Sequence, residues 1–217
     1  MLPQKFKNLV IAIDGPSASG KGTLAKKLAQ HFDLAYLNTG ALYRLIAWRM
    51  IHADIAPQNL LTHLANLTQN IQEAELDNED LFDEKIGAHA SIIAKIPELR
   101  QALFDFQKNF IMEAKLNRFG CVLDGRDTTT VICPEADFKF FIKADVEIRA
   151  QRRSKQFPNQ DYEQILAQLK QRDHNDINRP ESPLKIADDA IVIDNGKLSI
   201  EEGFAQILKI INSQLNS

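Results

Sequence analysis

Cysteine is nearly missing from this 217-residue chain: there are two, Cys121 and Cys133. They stand in no metal-ligand spacing, which excludes a zinc site or a disulfide framework as the organising feature. Both follow or sit in apolar stretches, so the expectation is a pair of reduced thiols in or near the core of a cytosolic protein. Long hydrophobic runs are absent as well. Nothing approaches a membrane span, and residues 9–13 are too short for a signal peptide and are closed by Asp14. The expected setting is therefore cytoplasmic, with no membrane partner. Positive charge is not in excess either: the net charge of −3 excludes a polybasic nucleic-acid binder, and no nucleic-acid partner is expected. Any attraction for phosphate must come from locally placed arginines. There is no Ser-His-Asp arrangement, and the five histidines are scattered, each expected on the surface or in the core. No internal repeat or low-complexity segment is visible. No large apolar surface stripe demands a partner, so a monomer is expected.

What is present is concentrated in Gly15-Pro16-Ser17-Ala18-Ser19-Gly20-Lys21-Gly22-Thr23. The β-branched run at 9–13 before it reads as a buried strand. Leu24, Leu28 and Phe32 after it fall at helical spacing. Strand, glycine-rich turn, lysine, threonine and helix follow the order a phosphate-binding loop needs. Glycines let the backbone curl so that several N–H groups converge on one anion. The helix adds its unpaired N–H groups and the positive end of its dipole. Lys21 would place a full charge on the β- and γ-phosphates, and the Thr23 hydroxyl would be offered to Mg²⁺. A glycine stands between the lysine and the threonine, a variant that resembles the loop of nucleoside-monophosphate kinases.

Along the rest of the chain, 34–37 reads as a second strand. A helix from about Ala41 carries Leu42, Leu45, Ile46 and Met50 on one face. Arg44, in its first turns, reads either as a surface arginine or as one able to reach an anion held above the sheet. Pro57 breaks this helix, and 60–71 and 86–96 show helical spacing with an acidic loop at 73–84 between them. Pro97 opens another helix, whose stripe of Leu99, Leu103, Phe106 and Phe110 is core packing. Residues 120–123 form a buried strand with Asp124-Gly125-Arg126-Asp127 at its end, the place where open parallel sheets bind ligands. Further strands are expected at 138–142 and 190–193, and a helix from Val146 carries Arg149, Arg152 and Arg153. The next helix is expected to end near 172–176. Ser199 and Glu202 make a capping-box signal for a closing helix. Alternating strands and helices give an α/β fold of three layers, a parallel sheet with helices on both faces.

These motifs together resemble the cytidylate kinase family of P-loop kinases over most of the chain, from Ile11 to about Ile193. The resemblance rests on the loop at 14–23, Thr39-Gly40-Ala41-Leu42-Tyr43-Arg44, Ile96-Pro97-Glu98-Leu99-Arg100, Asp124-Gly125-Arg126-Asp127, and Arg172-Asp173 with Asp176 and Arg179. It implies phosphoryl transfer from MgATP to CMP or dCMP, with those nucleotides as the small-molecule partners. It implies a core at 1–59 and 119–217, a lid at about 149–172, and an inserted acceptor-binding lobe at 60–118 that closes over CMP. Lys21, Arg126 and Arg179 would be catalytic. ATP would be held by residues 15–23, including Pro16, Ser17, Ala18, Ser19 and Gly22, and by Arg152 and Arg153 of the lid. Arg44, Arg126 and Arg179 would hold the acceptor phosphate. Ser91, Arg100 and Asp127 would read the cytosine, Arg172 and Asp176 would reach the sugar, and Thr39 would join the substrate site. The alternatives are another small-acceptor P-loop kinase, such as an adenylate or shikimate kinase, or a regulatory module that binds ATP without turnover. The chain departs from the family pattern at Asn38, usually Asp; at Thr129, usually Gly; and at Ile177, often Arg. The acceptor lobe also shows little strand signal where the family often carries a small sheet. Thr129 is the departure that matters most if the backbone there needs positive φ.

Overall fold

A computed structural model of the protein describes residues 7–158 and 160–215. Five strands form one sheet in the order β2-β3-β1-β4-β5: β1 (Leu9–Asp14), β2 (Ala35–Asn38), β3 (Gly120–Gly125), β4 (Phe138–Lys143) and β5 (Ile191–Asp194). The pairings of β1 with β3, β1 with β4 and β4 with β5 are parallel. The helices are α1 (Lys21–Phe32), α2 (Thr39–His52), α3 (Leu60–Thr68), α4 (Glu84–Ile93), α5 (Pro97–Asn117), α6 (Val146–Gln156), α7 (Tyr162–Asn178) and α8 (Ile200–Leu215). The fold is the three-layer α/β arrangement expected from the sequence.

Two compact units divide the described chain. The first takes the residues up to Leu37 and those from Ile111 on, and the second is Asn38–Phe110. In the first unit β1 is buried at all six positions, because a central parallel strand has no solvent face. Ile11 and Ile13 point to one side, where they join Leu24, Leu28 and Phe32 of α1, Val122, Phe140, Ile142 and Ile193 of the sheet, and Ile207 and Ile211 of α8 in one cluster. Cys121 and Cys133 are both buried and form no disulfide, as read from the sequence. Because these strands run the same way, the carboxyl ends of β1, β3, β4 and β5 lie on one edge. That edge is where the loop at 15–20, the segment 126–127 and Asn195 emerge.

Several boundaries differ from the sequence reading. β3 runs on through Asp124 and Gly125, since pairing with β1 continues there (Ile13 with Asp124, Asp14 with Gly125). α2 starts at Thr39, capped by Asn38, whose side-chain oxygen accepts from the Ala41 N–H at 3.1 Å. Asparagine does here what the family's aspartate could do, because an N-cap needs only an acceptor. α7 continues past 172–176 to Asn178; Arg179 is then extended (φ −66, ψ 140), as the residue before Pro180 must be. The acidic 73–84 segment, expected as a loop, holds two short 3₁₀ turns, Glu73–Asp77 and Glu79–Phe82, pinned by buried Leu76 and Leu81. In the second unit no strand lies among the described residues between α2 and α5.

Candidate active site at the carboxyl edge of the sheet

Gly15 and Gly20 of the loop have φ of +153° and +90°. A Cβ on Gly15 would lie 2.2 Å from the Ile142 carbonyl oxygen, so only glycine lets the loop pass β4. Three loop carbonyls are held by side chains: Pro16 by Lys21 Nζ at 3.3 Å, Ser17 by Arg149 Nη1 at 3.1 Å, and Ser19 by Asn195 Nδ2 at 2.8 Å. Those three carbonyls are thereby turned to partners of their own, which leaves the loop's N–H donors less opposed, as anion binding requires.

Lys21, the first residue of α1, is buried. Burial pushes its ammonium down from 10.5 to about 7; the nearby Arg126 and Arg172 push the same way, while Asp124 and Asp176 only partly offset them. Arg126 donates from Nε to Asp176 Oδ2 at 2.7 Å and from Nη1 to the Gly125 carbonyl at 3.1 Å. Burial would lower the Arg126 guanidinium, but the Asp176 charge and hydrogen bond outweigh it and raise it. Burial likewise opposes ionisation of Asp176, yet Arg126 and Arg172 hold its carboxyl below the usual carboxylate range. Arg172 is pushed down to about 10, first by burial and then by Arg126 and Arg153. Its buried Nε has no hydrogen-bond partner. Arg179 sits 3.6 Å from Asp127 and donates from Nε to the Ser182 carbonyl at 2.6 Å. The first unit thus gathers Lys21, Arg126, Asp127, Arg172, Asp176 and Arg179, all expected as site residues, at one edge. Buried cations crowd so closely that their charged forms repel one another, the condition an incoming anion relieves.

Arg149, Arg152 and Arg153 on α6 diverge. Arg149 is almost fully buried and donates to the Ala144 carbonyl, the Ser17 carbonyl and both oxygens of Asp173 on α7. It ties the loop to α6 and α7. Arg152 donates from Nη2 to the Asn195 carbonyl at 2.6 Å, so it rests on the turn between β5 and α8. Arg153 lies with its guanidinium carbon 5.2 Å from the centre of the Phe157 ring. Thr23, the expected magnesium ligand, is exposed in the first turn of α1.

In the second unit, Arg44 on α2 is buried and donates from Nη1 to the Leu81 carbonyl at 2.6 Å and to that of Asp83 at 3.2 Å. Gly87 on α4 makes room for it: a Cβ there would stand 2.7 Å from Arg44 Nη2. Arg100 is buried, donates to the Ala94 carbonyl at 3.2 Å and lies 5.7 Å from the Tyr43 ring centre. Ser91 is half-buried on α4 and Thr39 is buried at the start of α2.

Four polar groups at this edge carry no role in the sequence reading. Asp124 is buried at the end of β3 and accepts from the Tyr36 hydroxyl at 2.7 Å. Burial raises its carboxyl pKa, against the pull of Lys21. A carboxylate ending an apolar strand was the signal available for it. Asn195 follows the same pattern after β5, while Asp14 and Asp173 reveal their partners only in three dimensions. Among the described residues no group of three His, Cys, Asp or Glu side chains could hold a metal ion. The Thr23 hydroxyl, and the Asp124 carboxylate whose Oδ2 would lie 3.5 Å from a Cβ on Gly22, nevertheless suit magnesium, which keeps water and phosphate oxygens as most of its ligands.

A protein-family model described as cytidylate kinase matches residues 11–213. A protein named cytidylate kinase from Bartonella bacilliformis is 43% identical over 210 residues, covering 94% of this chain and 94% of that one. Another of the same name from Azorhizobium caulinodans is 42% identical over 207 residues, covering 94% and 98%. Among solved structures, an uncharacterized protein from Eubacterium ventriosum superposes with a TM-score of 0.58 at 18% identity, covering 95% of this chain and 99% of that one; this likeness concerns the fold alone.

Proposed function

The chain belongs to the cytidylate kinase family, and we propose that it transfers the γ-phosphate of MgATP to CMP or dCMP, yielding ADP and CDP or dCDP. The observation that carries this reading is the buried Lys21 at the mouth of the phosphate loop, forced down to about 7 beside Arg126 and Arg172. A polyphosphate supplies the negative charge this hollow is short of. The loop at 15–23 would cradle the ATP phosphates, with Lys21 on the β- and γ-groups. Mg²⁺, when bound, neutralises phosphate charge, and Thr23 with Asp124 would stand on its side of the nucleotide. Arg126 and Arg179 would hold the transferring and acceptor phosphates, joined by Arg44. The Arg126–Asp176 pair keeps the guanidinium from swinging, so it is already oriented when charge develops. No general base is required, because the attacking phosphate oxygen is already ionised.

Cytosine offers an amino donor at N4 and acceptors at N3 and O2. Asp127 would accept from N4, while Arg100 and Ser91 would meet the acceptors. Uracil would leave the carboxylate facing a carbonyl, and that mismatch is the source of selectivity. Arg172 and Asp176 would reach the sugar. Arg153 would approach the ATP phosphates from the lid, and Arg152 would do so on leaving the carbonyls it now contacts.

Coupled ADP-release assays with CMP, dCMP, UMP and AMP test the reading. We expect both cytidylates to turn over at least tenfold faster than UMP or AMP. Faster turnover of UMP or AMP would overturn the substrate assignment. Tight nucleotide binding by calorimetry with no ADP produced would overturn the enzymatic one.

A further inference from the structure

Thr129 does not have positive φ. Instead it belongs to a buried arrangement that uses all the acceptor positions of one carboxylate. Asp14 closes β1, one residue before the phosphate loop, and is fully buried. Its Oδ1 accepts from the Thr128 N–H at 3.0 Å and the Thr128 hydroxyl at 2.7 Å. Its Oδ2 accepts from the Thr129 N–H at 2.8 Å and the Thr129 hydroxyl at 2.6 Å. Thr128 and Thr129 are themselves buried. They open a single π-type turn, Thr128–Ile132, in which the Ile132 N–H reaches the Asp127 carbonyl at 3.1 Å and the Cys133 N–H reaches that of Thr128 at 2.8 Å. Asp127, just before the turn, has the uncommon backbone pair φ −142, ψ 19. Wide turns of this kind are rare and occur mostly at functional sites, and the carboxylate's four bonds fasten this one at its first two residues.

We propose that Asp14 with the hydroxyls of Thr128 and Thr129 is a positioning clamp. It locks the turn that presents Arg126 and Asp127 to the root of the phosphate loop, and thereby sets acceptor recognition. Two carboxylate oxygens take four donors from consecutive residues, so the turn cannot loosen without stranding a buried charge. The carboxylate sits at the same strand end as the loop, so donor-side and acceptor-side groups share one rigid reference. The threonine side chains make this lock stronger than backbone N–H groups alone, since each adds a short hydroxyl bond to a charged acceptor. The role assigned to Asp127 and Arg126 rests on the kinase reading above; the clamp itself does not.

Thr129→Val and Thr128→Val keep side-chain shape and delete one hydroxyl bond each, and Thr129→Ser keeps the hydroxyl. Two measurements separate the clamp from the kinase reading. In the ligand-free protein, amide exchange at 127–132 should quicken about tenfold to hundredfold in Thr129→Val, with α8 unchanged and Thr129→Ser near wild type. In steady-state kinetics, Thr129→Val should raise KM for CMP about tenfold with the ATP dissociation constant within about twofold, and Thr129→Ser should restore it. The double valine variant should do both more strongly. Asp14→Asn, which places an amide donor against donors, should be the most damaging if it folds. Unchanged exchange at 127–132 in the double variant would overturn the clamp. Faster exchange with unchanged KM for CMP would overturn its part in acceptor recognition. A wild-type protein that turns over no cytidylate would overturn the kinase reading alone, with the exchange result still deciding the clamp.

Discussion

Lys21 offers the sharpest quantitative test of the site, because its ammonium is held at about 7 when no nucleotide is bound. At about pH 8 such a lysine is only about one-tenth protonated. A phosphate charge about 4 Å away, at an effective dielectric constant of about 20, stabilises the ammonium by about 4 kcal/mol, or about three pH units. Binding should therefore carry Lys21 back to about 10 and take up about 0.9 proton per ATP at pH 8, falling to about 0.1 at pH 6. The triphosphate is itself fully ionised at pH 8, and Arg172, at about 10, stays charged throughout, so neither supplies a competing signal. The assay is calorimetric titration of MgATP, without acceptor, in buffers that differ in ionisation enthalpy; the slope counts protons. The sign is fixed: affinity is full below about pH 7 and weakens as pH climbs toward about 10. For folding the sign is opposite. Between about pH 7 and the ordinary lysine value of 10.5 the unfolded chain holds a proton the folded one lacks, so Lys21 makes stability rise with pH there. Lys21→Met should abolish the uptake. Arg126→Ala should shrink it, because removing a repelling neighbour lets Lys21 stay protonated in the free protein. Uptake below about 0.2 proton at pH 8, or uptake that persists in Lys21→Met, would refute the picture of an electrostatically starved hollow.

Two further outcomes are expected. Arg126→Ala should lower turnover by about a hundredfold to a thousandfold while shifting the ATP dissociation constant only severalfold, because its charge acts where the phosphoryl group is in flight; single-turnover kinetics with near-normal rates would show the assignment to be misplaced. Arg149→Met should cost about 2–3 kcal/mol in denaturant unfolding, since it removes the donors to two carbonyls and the partner of the half-buried carboxylate of Asp173; a loss under about 1 kcal/mol would mean that the Arg149–Asp173 contact contributes no more than an exposed ion pair.

Much of this molecule is written locally. The residues from β1 through α1 declare a strand, a turn and a helix by composition and spacing alone, since a phosphate loop is a contiguous device whose glycines are needed within a few residues of one another. Pro97 opens α5 and the Ser199–Glu202 capping box forms as read, the Ser199 N–H reaching Glu202 at 2.8 Å, because caps act over a single turn. The strand of 120–123 was legible from its apolar run, but its continuation through Asp124 and Gly125 was not, because only pairing with β1 decides that. The end of α7 lies beyond the expected 172–176: the helix runs to Asn178, until Pro180 forces Arg179 out of it.

The contacts that tune the site span long distances in the chain, and no pattern of spacing announces them. That Asp14 would spend its carboxylate on Thr128 and Thr129, over a hundred residues away, is invisible in a strand that otherwise reads as buried and apolar. So is the division of labour among the arginines. Arg126 pairs with Asp176, Arg149 braces the phosphate loop against Asp173, and Arg152 turns to Asn195. Residue types and their order were enough to point to a phosphate-binding loop and to the family the chain belongs to, because backbone geometry over a few residues makes such a loop. Which charges are buried together, and hence how far Lys21 is depressed and which turn is locked, depended on parallel pairing that brings separate strand ends to one edge. That is a property of the folded sheet, absent from any stretch of the chain taken by itself.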